Sequence, residues 1–380
     1  MPAQNGHQDC TVSTMPRPAA CPPAAPDVLD PVADGLPAPV GSGGTAGALR
    51  ARLAVLAATF AETPLVRIED DAVDLHAKLE YCNPNGSSKD RSAFWILKGA
   101  VERGEITAET TVVESSSGNF AISMAAFCRT LGIRFVPVID PNCNQLTEAY
   151  LGIMCDRVEK VTERDPSGGY LTTRLDRVKQ LQTEYRHVYW PNQYANEDAL
   201  LAHYRTTGGE LCAALPKLDY VFLGVSTGGT IAGVSRRVKE EHPAATVVAV
   251  DAAGSAIFGQ PPQARLLPGL GSSLVPPLCD RALIDDVVIV PEPAAVQGCL
   301  ELVRRHGLYT GGSTGSVYAA IRHYFGRRPA GGARPTVAFL CADRGTAYAE
   351  TVYDADWVAR SFADRPVPDG WPGAALPSAL

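Results

Sequence analysis

The chain has 380 residues, enough to bury a large core in two or three units. Its hydrophobic fraction of 46% and charged fraction of 20% are those of an ordinary soluble globular protein. A net charge of -7 without a long basic run argues against a nucleic-acid partner, and no apolar run reaches the roughly 18 residues a membrane span needs. Residues 1–47, rich in Pro, Ala and Gly, read as a disordered extension, and the start Met1-Pro-Ala-Gln-Asn lacks the features of a secretory signal. Helical spacing begins at Ala48 and runs to Phe60, and Val73 to Leu79 is β-rich. Asn83-Pro-Asn-Gly-Ser-Ser-Lys-Asp-Arg91 then reads as a Pro/Gly turn opening a helix, with apolar spacing carried on through Ala93 to Ala100.

Strands and helices alternate from there. Thr111–Glu114, Arg134–Ile139 and Arg157–Val161 read as strands, with helices over Phe120–Leu131, Gln145–Ile153 and Leu171–Tyr185. A break at Trp190-Pro-Asn-Gln-Tyr194 is followed by a strand at Tyr220–Gly224 and a helix over Ile231–Glu241. Further buried strands are expected at Thr246–Val250, Val287–Val290 and Thr336–Leu340, with a helix over Val317–Phe325. The pattern predicts an α/β fold of two domains, each with a largely parallel sheet flanked by helices. Residues 48–195 form the first, residues 196–362 the second, and residues 363–380 a tail.

The ten cysteines are scattered from Cys10 to Cys341 without a C-x-x-C pair, and the seven histidines form no H-x-x-x-H pair. Free thiols in a reducing cytoplasm fit this better than a disulfide framework or a bound metal.

Four short segments lie where helices are expected to begin, three of them after strands. Lys89 stands at the helix start after Pro84 and Gly86, where the partial positive charge helps keep an amine neutral and able to attack an aldehyde. A solvated lysine in a capped first turn is the plainer alternative. Ser226-Thr-Gly-Gly-Thr230 combines bare backbone N–H groups, hydroxyls and a helix N-terminus, which suits a phosphate, although a simple strand-to-helix turn looks the same. No Walker spacing occurs. Glu114-Ser-Ser-Ser-Gly-Asn119 has the makings of a carboxylate site or of a well-capped helix, and Gly311-Gly-Ser-Thr-Gly315 is another Gly/Ser turn before a helix. A phosphate, a carboxylate and an aldehyde together match pyridoxal phosphate bound to an amino acid.

These motifs, in this order, resemble the cysteine synthase/cystathionine β-synthase family of fold-type II pyridoxal-phosphate enzymes, over roughly residues 55–345. The resemblance implies that Lys89 forms the Schiff base, that Asn119 lies beside the cofactor's ring oxygen, and that Ser226, Thr227, Gly228, Gly229 and Thr230 hold its phosphate. It places Ser313 at the pyridine nitrogen, and Ser116, Ser117, Gly118 and Gln193 on the substrate carboxylate. A neutral serine at the nitrogen makes the ring a weaker electron sink, which favours β-elimination. The family usually has Thr-Gly after the asparagine; here Phe120-Ala121 follows, and Phe120 is expected to reshape the pocket.

Glu114–Asn119, Gly254-Ser-Ala-Ile-Phe-Gly259 and Arg265-Leu-Leu-Pro-Gly-Leu-Gly271 resemble a branch joining O-phospho-L-serine to L-glutamate through an aminoacrylate. Its product, N-(2-amino-2-carboxyethyl)-L-glutamate, leads to 2,3-diaminopropionate for siderophores or peptide antibiotics. An O-acetylserine or O-phosphoserine sulfhydrylase is the alternative. A phosphate leaving group needs a cation; Arg265, in a loop before Pro268-Gly269, is the candidate, with Arg205 second. His203 and Tyr204 are expected to pack or cap near a helix, and Phe94 and Trp95 to be core. The resemblance also implies a homodimer acting on small amino acids.

Overall fold

Residues 45–165, 168–326, 334–365, 367–368 and 370–371 are described by the computed structural model. The expected extension therefore lies outside the described residues except for its last three positions, which open α1 (Thr45–Ala57). Leu49, Leu53 and Leu56 recur at helical spacing and are all buried, so α1 docks by one apolar stripe. Next come β1 (Leu65–Ile68), β2 (Asp74–Lys78), α2 (Lys89–Glu102), β3 (Thr111–Ser115) and α3 (Asn119–Leu131). Gly132, at φ 73°, ends α3 in a left-handed cap that a side chain would strain.

After β4 (Arg134–Ile139), the Asn144 side chain accepts from Thr147 N–H and caps α4 (Gln145–Met154). β5 (Glu159–Lys160), α5 (Leu171–Glu184) and β6 (Val188–Tyr189) complete a four-stranded parallel sheet, in the order β5-β4-β3-β6. The expected strand over Arg157–Val161 shrinks to two residues because β5 is an edge: Arg157 and Glu159 form surface ion pairs, with only Glu159 and Lys160 in register with β4. Sequence reading also missed β6, whose two residues are too few to show a period.

The second half contributes α6 (Glu197–His203), a π-helical turn over Tyr204–Gly208, α7 (Gly209–Ala214), β7 (Tyr220–Gly224), α8 (Gly229–Glu241) and β8 (Thr246–Ala252). It closes with β9 (Asp286–Val290), α9 (Glu292–His306), α10 (Gly312–Phe325), β10 (Thr336–Leu340) and α11 (Ala355–Phe362). The larger sheet runs β1-β2-β10-β7-β8-β9, parallel apart from β1. Its central strands are mostly apolar and buried because helices cover both faces.

Sheet membership cuts across the boundary expected at residue 195. β1 and β2 come from the first half, but β2 pairs with β10 and carries β1 on its other edge, and residues 41–380 form one compact unit. A strand joins whichever sheet offers it an unpaired edge, whatever its place in the chain. In the tail, Val367 is buried against the larger core and Trp371 stacks on His323 with ring centroids 4.3 Å apart. Among the described residues no helix is long and apolar enough to cross a membrane.

Candidate active site

Each parallel sheet reverses its strand order once, and a crevice opens at such a point beyond the strand ends. In the larger sheet the reversal falls between β10 and β7. The segment before α2 is fastened there: Ser88 N–H donates to Ala342 O at 2.8 Å, and Ser87 pairs with Asp343. Asp90 accepts from Asn85 N–H and from Asn85 Nδ2, both at 2.8 Å, tying the turn to the helix it opens. Arg91 anchors α2 from behind. Its guanidinium spans Glu80 at 2.8 Å and Glu210 at 2.5 Å, while buried Lys78 reaches Glu210 at 2.7 Å. The Lys89 backbone is therefore held on both sides.

Lys89, Ser226, Thr227, Gly228, Thr230 and Ser313 line one cavity, so three segments far apart in sequence meet. Gly229 lies buried at the start of α8. Enclosure holds the Lys89 amine below the usual lysine range, an effect partly offset by the Asp343 carboxylate. Gly228 has φ 91°, and a Cβ there would sit 2.9 Å from Cys279 N, so the turn between β7 and α8 has to be bare backbone. Ser226 Oγ donates to Gly271 O at 3.2 Å, and Thr230 Oγ1 lies 3.2 Å from His203 Nε2. His203 does more than pack. Its Nε2 also lies 3.1 Å from Ser92 Oγ and its Nδ1 3.0 Å from Thr207 Oγ1, joining α2, the π turn and the α8 turn. Burial first, then Arg91 and Lys89, keep this imidazole neutral.

In the smaller sheet the reversal falls between β3 and β6, where the two sequence-expected carboxylate segments meet. Gln193 Nε2 donates to Ser115 O and Gln193 N–H to Glu114, each at 3.3 Å. Asn192 bends the chain there at φ 46°, a conformation asparagine tolerates. Trp190 Nε1 donates to Glu114 at 3.2 Å; burial pushes this carboxyl up to about 7, against the pull of the bonds it accepts. Ser116 Oγ accepts from Ala121 N–H at 3.2 Å and so caps α3, and Gly118 is its exposed N-cap. Asn119 Nδ2 donates to Asp343 at 2.7 Å, bridging the loops of the two sheets.

Three expectations need correction. Arg265 does not reach this cavity: its guanidinium donates to Gly254 O at 2.6 Å, because its own loop folds back over it. Arg205 is exposed on the π turn, away from the cavity. Phe120 does not reshape the pocket, since it points into the core beneath α3. Phe94 packs in that same core. A cation that the sequence reading did not single out, Arg174 of α5, donates from Nη1 to Ser117 Oγ at 3.1 Å and lies 3.2 Å from Asp140, outside the residues that line the cavity. Nothing local marks it among the other charged residues of an amphipathic helix. Asp343 was missed too, although its place just after β10 is the kind of position that singled out the other loops.

A family model described as "Pyridoxal-phosphate dependent enzyme" matches residues 56–342. A protein of Cupriavidus metallidurans named N-(2-amino-2-carboxyethyl)-L-glutamate synthase is 42% identical, over 84% of this chain and 94% of that protein. A protein of the same name from Ralstonia nicotianae is 42% identical over 80% of this chain and 90% of its own length. Among solved structures, a hydrogen sulfide-producing enzyme of Fusobacterium nucleatum superposes with a TM-score of 0.70 at 27% identity, covering 77% of this chain and 98% of that one.

The residues present fit the cofactor. A turn with glycine at its tightest point, hydroxyl side chains beside it and a helix N-terminus suits a phosphate, an enclosed amine of lowered basicity suits an aldehyde, and Ser313 lines the same cavity. On sequence, fold and cavity together, the chain belongs to the pyridoxal-phosphate dependent enzymes.

Proposed function

We propose that the protein carries out β-replacement on O-phospho-L-serine with L-glutamate as the incoming amine, giving N-(2-amino-2-carboxyethyl)-L-glutamate. The observation that carries the reaction class is the convergence of Lys89, the Ser226–Thr230 turn and Ser313 on one cavity. The names of the two relatives at 42% identity support glutamate as the nucleophile.

Bound pyridoxal phosphate supplies an aldehyde for the substrate amine and a ring that draws electrons from the α-carbon. The chain's own residues do the rest. The Ser226–Thr230 turn would hold the phosphate of the cofactor, and Asn119 and Ser313 would hold its ring. The segment from Ser116 to Asn119, at the N-terminus of α3, holds the substrate α-carboxylate, with Gln193 beside it. Lys89 Nζ, poised neutral by its enclosure, takes the α-proton. The Cβ–O bond then breaks, and phosphate leaves with the bonding pair. Arg174, fastened beside Ser117, meets that departing anion. The glutamate nitrogen forms the new Cβ–N bond and sheds a proton, and Lys89 Nζ returns a proton to Cα.

A competition assay tests this reading. Holoenzyme receives O-phospho-L-serine with glutamate and sulfide together, and products are identified by mass. A dominant glutamate adduct is expected; dominant cysteine overturns the nucleophile and indicates a sulfhydrylase. Lys89→Ala is expected to abolish both turnover and the absorbance of lysine-bound cofactor. Retained turnover overturns the mechanism.

A further inference from the structure

We infer that Asp343 is a positioning residue, one that sets which end of the Asn119 amide is presented to the cofactor; the inference rests on the cofactor-binding reading of Asn119 above. Asp343 is only 5% exposed, and its main chain is fixed from two directions. It pairs with Ser87, two residues before Lys89, and its carbonyl accepts from Gly311 N–H at 3.1 Å. The carboxylate is just as constrained. Oδ2 accepts from Asn119 Nδ2 at 2.7 Å and from the Tyr348 hydroxyl at 2.8 Å. Oδ1 has no hydrogen-bond partner among the described residues, and a Cβ built on Gly311 would lie only 2.1 Å from it, so this approach stays open only to glycine.

A buried carboxylate with one oxygen unpartnered is costly, which asks for a reason to keep it. The two ends of an asparagine amide have nearly the same shape, and only the partner tells them apart. An ionised carboxylate accepts and never donates, so it turns Nδ2 toward itself and excludes Oδ1 from that side. The amide carries two N–H bonds. One is spent on Asp343, and the other remains for a second acceptor, such as the anionic ring oxygen of pyridoxal phosphate. Burial pushes the Asp343 carboxyl above its ordinary range, and Tyr348, Asn119 and the nearby Lys89 pull the other way, toward the carboxylate whose Oδ2 accepts both bonds. Asparagine at position 343 would keep the shape but could donate as readily as accept, and the amide would lose its direction.

The test is a double-mutant cycle on cofactor affinity, measured by titrating pyridoxal phosphate into apo-protein and following the absorbance of the lysine-bound form. Asn119→Ala and Asp343→Asn are each expected to weaken binding by about tenfold, as for loss of a hydrogen bond to a charged group. The double variant is expected to bind within about twofold of Asn119→Ala, because Asp343 acts through Asn119. Tyr348→Phe removes one of the two bonds that hold Oδ2 and is expected to weaken binding by about threefold, less than Asp343→Asn. If Asn119→Ala binds like the parent, the role given to Asn119 falls, and this inference with it. If Asn119→Ala weakens binding while Asp343→Asn does not, or if the two losses add, Asp343 is no positioning residue. If Tyr348→Phe costs as much binding when Asn119 is already Ala as it does in the parent, the inference is overturned, and this pair remains readable should Asp343→Asn fail to fold.

Discussion

Arg174 lies in the first turn of α5, where Nη1 bonds Ser117 Oγ and the guanidinium faces Asp140. Its one ion pair among the described residues leaves it able to meet a further anion. Arg174→Met should lower kcat/KM for O-phospho-L-serine by on the order of a hundredfold, the scale of a charge-assisted contact to phosphate. With O-acetyl-L-serine, whose leaving group carries a single charge, the loss should be about tenfold less. Parallel steady-state measurements decide; equal losses would assign Arg174 to the α-carboxylate loop alone. Lys89 was legible because turn chemistry, a helix start and an amine are all local to nine residues. Arg174 was not, since a cation on a helix surface becomes a site residue only when the fold sets that surface against another loop. Arg265 shows the converse: a loop that reads as free in sequence closes on its own Gly254 carbonyl.

At the scale of elements, α9 and α10 lie closer than ordinary side chains permit. A Cβ on Gly315 would fall 2.2 Å from Cys299 Sγ and 2.4 Å from Ala295 O, and one on Gly298 would fall 2.1 Å from Gly315 O. α10 begins with Gly312 and Ser313, so the depth of this packing sets how far the serine reaches into the cavity. Gly315→Ala should cost about 3 kcal/mol in denaturant unfolding, because backbone on one side cannot yield. A melting curve equal to the parent's would show that the helices can separate freely. Most elements were legible in the sequence because their periods run over four or more residues. β6 and the π turn were not, being too short or too irregular to repeat, and α9 was not read from the sequence for all its length.

Glu114 ties the whole molecule's stability to pH. It is fully buried at the end of β3 and holds Trp190 and Gln193, the segment leading into the second half. Its pKa rises from the ordinary 4.5 to about 7, so the folded chain holds this proton more tightly than the unfolded chain. The resulting stabilisation is full below the unfolded value and is lost as pH rises through about 7. Between about pH 4 and pH 8 this group should withdraw on the order of 3 kcal/mol. Urea unfolding across that range should show a slope in the parent that Glu114→Gln lacks; identical slopes would overturn the assignment.

What the sequence determined by itself was whatever is written in neighbouring residues. That covers alternating strand and helix periods, the turn before Lys89, the bare-backbone phosphate turn between β7 and α8, and the order of motifs that marks the family. Tertiary structure decided what depends on residues distant in the chain. It moved β1 and β2 into the sheet of the second half, turned Phe120 into the core, retired Arg265, and brought Arg174 to Ser117 and Asp343 to Asn119. The reason is physical: backbone propensity and turn chemistry act over a few residues. Hydrogen bonds and ion pairs between loops exist only after strand order has placed those loops at a common crevice.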